Sequence, residues 1–526
     1  MMRGLILTLM LSSLLASTVT AAPAQPGDVR LPSQPVAQPG DARVPAQPVA
    51  QPDPAPVEAS PEVRRSVVKI FTTSRDPDLA APWNKQKAEE SSGSGVVIEG
   101  NRILTNYHVV RYASRILVQP DGSSEKLKAK VVATGEGIDL AVIELEDKSF
   151  FDTHPPLPIS DELPGVGDAV TSYGYPLGGD AMSVTKGIVS RIEYTSFDSD
   201  TEGLRIQVDA ALNHGNSGGP VVSPEGKLVG IVFSGIDTAQ NIGYLVPVEE
   251  VRAFLADIAD GTYDRRPQLF ISLQTLENDA LRAKLKMQKG WNGIVVTKPE
   301  SKDADYPLKK WDVIDAIGDH DVDDAGMVTL PNNVRLSFNY FVPKLAKDGK
   351  VELAIIRDGE KLKVNVPVVA RRNSVMKSLD GGYPSYFVVG PMAFTPVYEE
   401  HRGIDARLLA SRGSPILQRM SDEPRFEGEQ LVIGPYRLFT AAVSKGYDIG
   451  YFPVLKSVNG TDIKNLRHLV ETIKASTDEF LVFDWADDGV ETLVFNREEL
   501  LASTDDILED NSIRNQMSDD VKDLWE

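Results

Sequence analysis

The feature that most constrains the fold of this chain is a series of short β-branched segments, separated by Gly, Asn, Asp and Pro, between residues 62 and 260. Many short strands with regular turn residues are typical of an all-β sandwich or a pair of barrels. Strands are predicted at residues 66–71, 95–98, 102–105, 115–118, 129–132, 140–143, 169–172, 187–189, 204–208 and 228–233. We therefore expect a mainly β domain whose two strand-rich halves flank residues 147–164. A helix at residues 248–258 closes this domain.

A glycine-rich loop, GNSGGP at residues 215–220, follows the strand predicted at residues 204–208. A serine hydroxyl is a weak nucleophile, and it needs a neighbouring base and donors for the oxyanion that its attack creates. The glycines beside Ser217 permit backbone angles closed to other residues, so that the amides of Gly215 and Ser217 can converge on one oxygen. The alternative is a glycine-rich hairpin with a solvated serine.

His108 and Asp139 are the candidate partners of this serine. Among the six histidines of the chain, His108 comes directly after a predicted strand, whereas His214 would have to fold back over its own loop to reach Ser217. Asp139 opens the strand at residues 140–143 and can fix the tautomer of an imidazole. Taken alone, a histidine after an apolar strand is more often structural than catalytic, and the alternative for Asp139 is a simple turn acid. The chain order His, Asp, Ser is that of chymotrypsin.

Three phrases of the sequence resemble the HtrA/Deg family of chymotrypsin-like serine proteases: TNYHVV at 105–110, GIDLAVIEL at 137–145 and DAALNHGNSGGPVV at 209–222. The resemblance covers residues 62–260 and implies a double β-barrel with endopeptidase activity. It assigns His108 as general base and acid, Asp139 as its orienting partner and Ser217 as nucleophile. The oxyanion amides would come from Gly215 and Ser217, with Asn216 between them. At position 214 the family usually has proline where this chain has histidine.

The specificity pocket is predicted from the residues around this loop. Trypsin-like relatives carry an acid six residues before the nucleophile to bind basic side chains, and here that position is Ala211. Ile231, Phe233 and Ser234 are expected to form another wall. An uncharged, partly apolar pocket favours aliphatic side chains at the cleavage site.

Two α+β modules are expected after the protease domain at residues 62–262. Residues 267–372 resemble a PDZ domain, a fold that adds a peptide as an extra strand and holds its carboxylate on a glycine-containing loop. The corresponding loop, Leu269-Phe270-Ile271, has phenylalanine at the glycine position, which argues against carboxylate capture but leaves strand addition open. Residues 380–500 resemble the divergent second PDZ domain of plant-type Deg proteases, expected to contact other subunits. Residues 501–526 are expected to form a solvated acidic tail.

The N-terminal residues are predicted to direct export. Residues 1–22 resemble a secretory signal peptide, with Arg3 before an apolar run and small residues at the end, so we expect a periplasmic or secreted protein. An uncleaved membrane anchor is the alternative. Residues 23–61 are rich in proline and repeat AQPGDVRLPSQPV as AQPGDARVPAQPV, which predicts an extended tether.

Composition restricts the partners and cofactors. The chain has 55 Lys and Arg against 76 Asp and Glu, and the resulting net charge of −21 argues against nucleic acid or an anionic membrane surface. It has no cysteine, which excludes disulfides, thiolate catalysis and cysteine zinc sites. The sequence contains no P-loop pattern or ligand cluster, and we expect no nucleotide, metal or other cofactor.

The predicted function is ATP-independent cleavage of unfolded or damaged exported polypeptides, and the family resemblance implies a homo-oligomer built from trimers. The alternative function is that of a holdase or peptide-binding scaffold whose protease activity is latent or switched by a partner.

Overall fold

The computed structural model describes residues 60–176, 179, 181–196, 201–213, 215–233, 243–301, 303–331 and 333–525. The predicted signal peptide and most of the predicted tether therefore lie outside the described residues. Within the ranges given, no helix is long and apolar enough to cross a bilayer.

Two closed, antiparallel, six-stranded barrels form the first part of the described chain. The strands of the first barrel, β1–β6, are Val67–Ser74, Glu89–Ile98, Arg102–Thr105, Ala113–Pro120, Leu127–Gly135 and Leu140–Leu145. The strands of the second barrel, β7–β12, are Ala169–Gly174, Ser183–Ser196, Glu202–Val208, Pro220–Val222, Leu228–Phe233 and Gly243–Pro247. The mainly β double barrel predicted from the sequence is confirmed.

Both faces of the central strands are buried, which explains why their sequences are continuous apolar runs. In β1, Val68 packs inside the first barrel, whereas Val67 packs into a second core shared with the other barrel. The α-helices beside the barrels in the described ranges are α1 (Pro61–Ser66), α2 (Tyr107–Val110) and α3 (Val248–Asp257). Phe254 of α3 is almost fully buried in the shared core, so this helix closes the barrel pair.

The two barrels are followed by a linker and then by another domain, which we call the third domain. Its sheet has the order β13-β14-β15-β19-β20, with β16 paired to β15, and β17 pairs with β18 in a separate sheet. Strands β13–β20 are Ser272–Gln274, Ile294–Lys298, Val313–Ile317, His320–Asp321, Met327–Thr329, Arg335–Ser337, Lys350–Arg357 and Glu360–Pro367. Its helices are α4 (Asp279–Lys284) and α5 (Val342–Leu345). The core of this domain is continuous with that of the second barrel, since Phe338 and Leu204 belong to one buried cluster.

The C-terminal domain contains a three-stranded sheet, β21-β22-β23, and a four-stranded sheet, β25-β24-β26-β27. Strands β21–β27 are Phe387–Val389, Met392–Pro396, Val432–Ile433, Leu455–Val458, Thr461–Asp462, Phe480–Trp485 and Leu493–Asn496. Helices α6–α10 are Ala406–Ser411, Pro415–Arg419, Leu466–Ala475, Arg497–Asp510 and Asp519–Trp525. The domain packs against the first barrel, where the Trp83 ring lies 6.3 Å from Tyr386 and 5.5 Å from Phe439.

The structure differs from the solvated acidic tail expected at residues 501–526. Helices α9 and α10 lie in this region, Ile507 is buried, and Val521 belongs to the core of the C-terminal domain. The acidic residues occupy the exposed positions between these apolar ones. A charge count over the segment hides this alternation, and the apolar positions decide its structure.

Candidate active site

His108 lies on α2, which begins where β3 ends, and its side chain is 41% exposed. Its Nδ1 is 2.7 Å from Asp139 Oδ2, and its backbone amide donates to Asp139 Oδ1 at 2.9 Å. Because one residue contacts both carboxylate oxygens, the plane of the Asp139 carboxylate is fixed relative to the imidazole. A carboxylate in this position holds the proton on Nδ1 and leaves Nε2 as the acceptor.

Asp139 follows a turn of 3-10 helix, Glu136–Ile138, and has the left-handed backbone angles φ 55° and ψ 44°. Aspartate adopts this conformation more readily than most residues. Asn106, which is fully buried, donates from its side chain to Asp139 O at 2.9 Å. The Asp139 amide donates to Glu136 O at 3.0 Å, so the residue is held from both sides of its turn.

The loop that carries Ser217 is anchored to the first barrel by Ser94 of β2. The Ser94 amide donates to Ser217 O and its hydroxyl to Gly215 O, both at 2.8 Å. Ser94 Oγ also accepts from Tyr175 N at 2.8 Å. This buried serine therefore joins the two barrels beneath the loop. Ser94 was not predicted from the sequence, although the alternating SGSG at residues 92–95 within a strand was a usable signal.

Glycine is required in the loop by close packing. Gly215 and Gly218 have φ of 96° and 84°. A Cβ on Gly218 would lie 2.2 Å from Ser94 O, and one on Gly219 would lie 2.2 Å from Tyr173 O. The Asn216 amide donates to Asn213 O at 3.0 Å and thus closes the turn. Gly215, Asn216 and Ser217 were predicted to surround the oxyanion. The backbone amide of Asn216 already donates a hydrogen bond within the loop.

The elements that carry His108 and Ser217 meet at Gly93. A Cβ built there would lie 2.8 Å from Val109 Cγ1 and 3.3 Å from Ser217 O. Ser217 is 4% exposed, and the ring of Phe233 lies 6.2 Å from that of His108 in an edge-on arrangement. The structure thus brings these predicted residues to one junction between the barrels.

The predicted pocket residues differ in how much of each side chain is exposed to solvent. Ala211 is exposed, and Phe233 is partly buried with the Arg205 guanidinium 4.1 Å from its ring. The prediction that Ile231 lines the pocket is corrected, because its side chain has no exposed surface and packs in the core shared by the barrels. Ser234, like His214, lies outside the described residues.

The predicted peptide loop, Leu269-Phe270-Ile271, leads into β13 at the edge of the third domain's sheet. Leu269 is buried, and Ile271 packs at the margin of the same core. Phe270 is not among the described residues with positive φ, so the loop lacks the left-handed backbone that the missing glycine would favour. In the part of the chain that the structure describes, no group of three or more His, Asp or Glu side chains is arranged to hold a metal ion.

Comparisons with known proteins agree with this geometry. The trypsin-like peptidase domain family matches residues 93–231, and the PDZ domain family matches residues 375–520. The chain is 37% identical over 463 residues to Protease Do-like 2, chloroplastic, of Arabidopsis thaliana, an alignment that covers 87% of this chain and 75% of the relative. This chain belongs to the Do-like, or HtrA/Deg, protease family.

Other members are similar over comparable lengths. Protease Do-like 4, mitochondrial, of Arabidopsis thaliana is 36% identical over 432 residues, covering 81% of this Do-like chain and 80% of the relative. The solved structure of the HtrA-type protease AlgW with tripeptide is 25% identical and covers 59% of this chain and 95% of that one, with a TM-score of 0.47. The predicted family resemblance is confirmed, and this Do-like protein is a serine endopeptidase.

Proposed function

We propose that Ser217 is the nucleophile of this protease, His108 its general base and acid, and Asp139 the carboxylate that orients His108. The observation that carries the proposal is the double hydrogen bond between His108 and Asp139. It favours the tautomer in which Nε2 can take the serine proton. The anchoring of the Ser217 loop by Ser94 supports the same assignment.

The reaction follows from these roles. Ser217 Oγ attacks the scissile carbonyl carbon while His108 takes its proton, and the oxyanion is bound by the amides of Gly215 and Ser217. His108 then gives the proton to the leaving amine, which departs and leaves an ester on Ser217. Water, deprotonated by His108, attacks this ester, and the acid product leaves with Ser217 restored.

The proposed substrates are unfolded or damaged exported proteins, cut beside aliphatic side chains without ATP. Ala211 supports this preference, because no acid stands at the position that binds basic side chains in trypsin-like relatives. Phe233 contributes an apolar surface near His108. Peptides would add as strands beside β13, next to Leu269, Phe270 and Ile271.

We propose export through residues 1–22 to the periplasm or the exterior, and assembly into a trimer-based homo-oligomer. Two plant relatives are named as chloroplastic and mitochondrial. The domain limits of 62–262 and 267–372 are proposed as predicted, whereas the C-terminal domain is proposed to extend past residue 500, because α10 contributes Val521 to its core.

The test is digestion of an unfolded, cysteine-free protein by the full chain and by Ser217→Ala, without ATP and with a chelator present. Loss of the nucleophile is expected to lower kcat by about 10⁶-fold, which removes detectable cleavage. The Ser217→Ala chain should still fold, since a single oxygen is lost. Fragment ends enriched in aliphatic residues would support the pocket assignment.

Unchanged cleavage by Ser217→Ala would overturn the proposal. If neither protein cuts but both keep the unfolded protein in solution, the chain acts as a holdase under these conditions. A search for an activating peptide would follow from that result.

A further inference from the structure

One short segment of the C-terminal domain reaches the neighbours of both His108 and Asp139. We call this segment, residues 378–383, the docking turn. Asp380 and Gly381 have φ of 48° and 77°, and the Gly382 amide donates to Leu379 O at 2.7 Å. Positive φ at both central residues defines a type I′ turn, which Asp-Gly favours. The backbone therefore fixes the place of the Asp380 carboxylate.

The docking turn contacts Glu136, the first residue of the 3-10 turn that leads to Asp139. Ser378 Oγ donates to Glu136 Oε2 at 3.4 Å, and the Arg265 guanidinium bridges the carboxyl groups of Glu136 and Asp380. Through its backbone, Glu136 accepts from the Asp139 amide at 3.0 Å. Glu136 thus connects the C-terminal domain to the carboxylate that holds His108.

Two arginines keep this pair of carboxyl groups together. Arg265, in the linker after α3, has its Nη2 3.5 Å from Glu136 Oε2 and 3.2 Å from Asp380 Oδ1. Arg371 donates to the other oxygen of Asp380. The positive charges offset the repulsion that two neighbouring carboxylates would otherwise create.

The docking turn also touches the helix that carries His108. Tyr107, directly before His108, is 7% exposed, and a Cβ built on Gly381 would lie 3.2 Å from its hydroxyl oxygen. Two residues after the end of α2, the ring of Tyr112 lies 5.7 Å from that of Tyr383. The Tyr383 hydroxyl donates to Arg75 O at 2.9 Å, which fixes the end of the docking turn on the first barrel.

We propose that the docking turn positions the His108–Asp139 pair, and that Glu136 is the positioning residue through which the C-terminal domain acts. The proposal rests on the triad assigned above. Asp139 sits in a left-handed conformation that its surroundings must maintain. A displacement of about 1 Å in a catalytic constellation costs up to about 10²-fold in rate, so release of the Glu136 turn is expected to lower kcat.

The charges around Glu136 make this contact sensitive to pH. Burial and the hydrogen bond to Asp380 raise the pKa of Glu136 to about 7, against the attraction of Arg265. Burial opposes ionisation of Asp380, but hydrogen bonds with Arg371 and Glu136 outweigh it and lower the pKa of Asp380. The other charged or titratable groups that face Glu136 are Glu400, Tyr107, Tyr112 and Arg371.

The sign of the pH dependence follows from the raised pKa. The folded chain binds the Glu136 proton more tightly than the unfolded chain, so the contact is at full strength below the ordinary value of 4.5. It weakens as the pH rises through about 7. A Glu136 variant tests this dependence directly, because it removes the group whose pKa is raised.

The test compares kcat and KM of the full chain with those of Glu136→Ala, Asp380→Gly and Glu136→Gln on a short aliphatic peptide. Glycine at position 380 keeps the positive φ while it removes the carboxylate. We expect Glu136→Ala and Asp380→Gly to lower kcat by about 10- to 100-fold with KM unchanged. Glu136→Gln keeps a donor toward Asp380, so it should stay within about threefold at pH 6 and show no further loss of kcat above pH 7.

Asp523→Asn is the matched control, because Asp523 is an exposed carboxylate of the same domain that pairs with Arg467 on the surface. A second readout is hydrogen exchange of residues 136–140 in a Ser217→Ala background, where Asp380→Gly should accelerate exchange. If exchange accelerates but kcat stays within twofold, the positioning role is overturned and the triad stands. Full activity of Ser217→Ala alone would instead overturn the triad.

Discussion

At the scale of the residue, the loop around Ser217 depends on Gly218, which approaches the first barrel closely. Gly218 combines a φ of 84° with near overlap between its missing Cβ and Ser94 O. The two effects act on the same backbone that carries Ser217. Substitution here therefore changes both the stability of the chain and the geometry of its nucleophile.

We expect Gly218→Ala to abolish cleavage and to destabilise the chain by more than the roughly 1–3 kcal/mol of a left-handed alanine. Thermal unfolding and digestion rates would measure the two effects. Gly226→Ala is the matched control: Gly226 has a φ of 76°, but the nearest atom to its missing Cβ is 3.8 Å away. Equal losses in both variants would show that the contact with Ser94 is unimportant.

His108, Asp139 and Ser217 were selected from sequence because each falls in a short phrase at the start or end of a predicted strand. Ser94 was not selected, since its role depends on a contact across 121 residues between Ser94 and Gly215. Ile231 was assigned to the wrong surface. Both faces of β11 are buried, so its apolar run does not reveal which side chains point toward a pocket.

At the scale of the element, the C-terminal helices show how charge can conceal a buried face. Val521 of α10 has no exposed surface, and Trp525 lies 5.1 Å from the ring of Phe387 on β21. The acids of α9 and α10 remain in water. A segment of this kind completes the core of its domain, although its acidic composition predicts a solvated tail.

Val521→Ala is expected to lower the free energy of unfolding of the C-terminal domain by about 2 kcal/mol, because two buried methyl groups are lost and a cavity remains. Urea unfolding followed by hydrogen exchange in this domain would measure it. Asp506→Ala, an exposed change on α9, should stay within about 0.5 kcal/mol. A neutral Val521→Ala would favour the solvated tail predicted from sequence.

At the scale of the whole molecule, α3 joins the second barrel to the third domain through two adjacent acids. Glu249 accepts from the Tyr340 hydroxyl at 3.0 Å and pairs with Lys344 of α5 at 2.7 Å. Glu250 is fully buried, accepts from Leu204 N at 2.9 Å and pairs with Arg266 of the linker at 2.6 Å. In the sequence these acids look like ordinary residues of the first turn of a helix, where negative charge is favourable. The types of domain could therefore be predicted from the sequence, but the contacts between the domains could not.

Arg266→Met should destabilise the chain by about 3–5 kcal/mol at pH 8, since it leaves the buried Glu250 carboxylate without a counter-charge. Burial raises the pKa of Glu250 and Arg266 lowers it, so the variant's Glu250 binds a proton more tightly still. A protonated Glu250 needs no counter-charge, and the loss should therefore be smaller at pH 5. Urea midpoints at the two pH values measure this difference.

Arg252→Met provides the control for that measurement, because Arg252 lies on the same helix as Glu250 but pairs with the exposed Asp161. Its effect is expected to stay within about 0.5 kcal/mol at either pH. A loss in Arg266→Met that does not change between pH 5 and pH 8 would contradict a charged Glu250 as the cause.

The packing of Trp83 between Tyr386 and Phe439 gives the chain an optical probe of its own assembly. Trp83 belongs to the first barrel and both of its ring partners belong to the C-terminal domain, so separation of the two would expose the indole to water and shift its emission to longer wavelength. The other four tryptophans, at positions 291, 311, 485 and 525, lie outside the barrels. With those four replaced by phenylalanine, fluorescence would follow opening and closing of the domain interface in real time, without an attached dye.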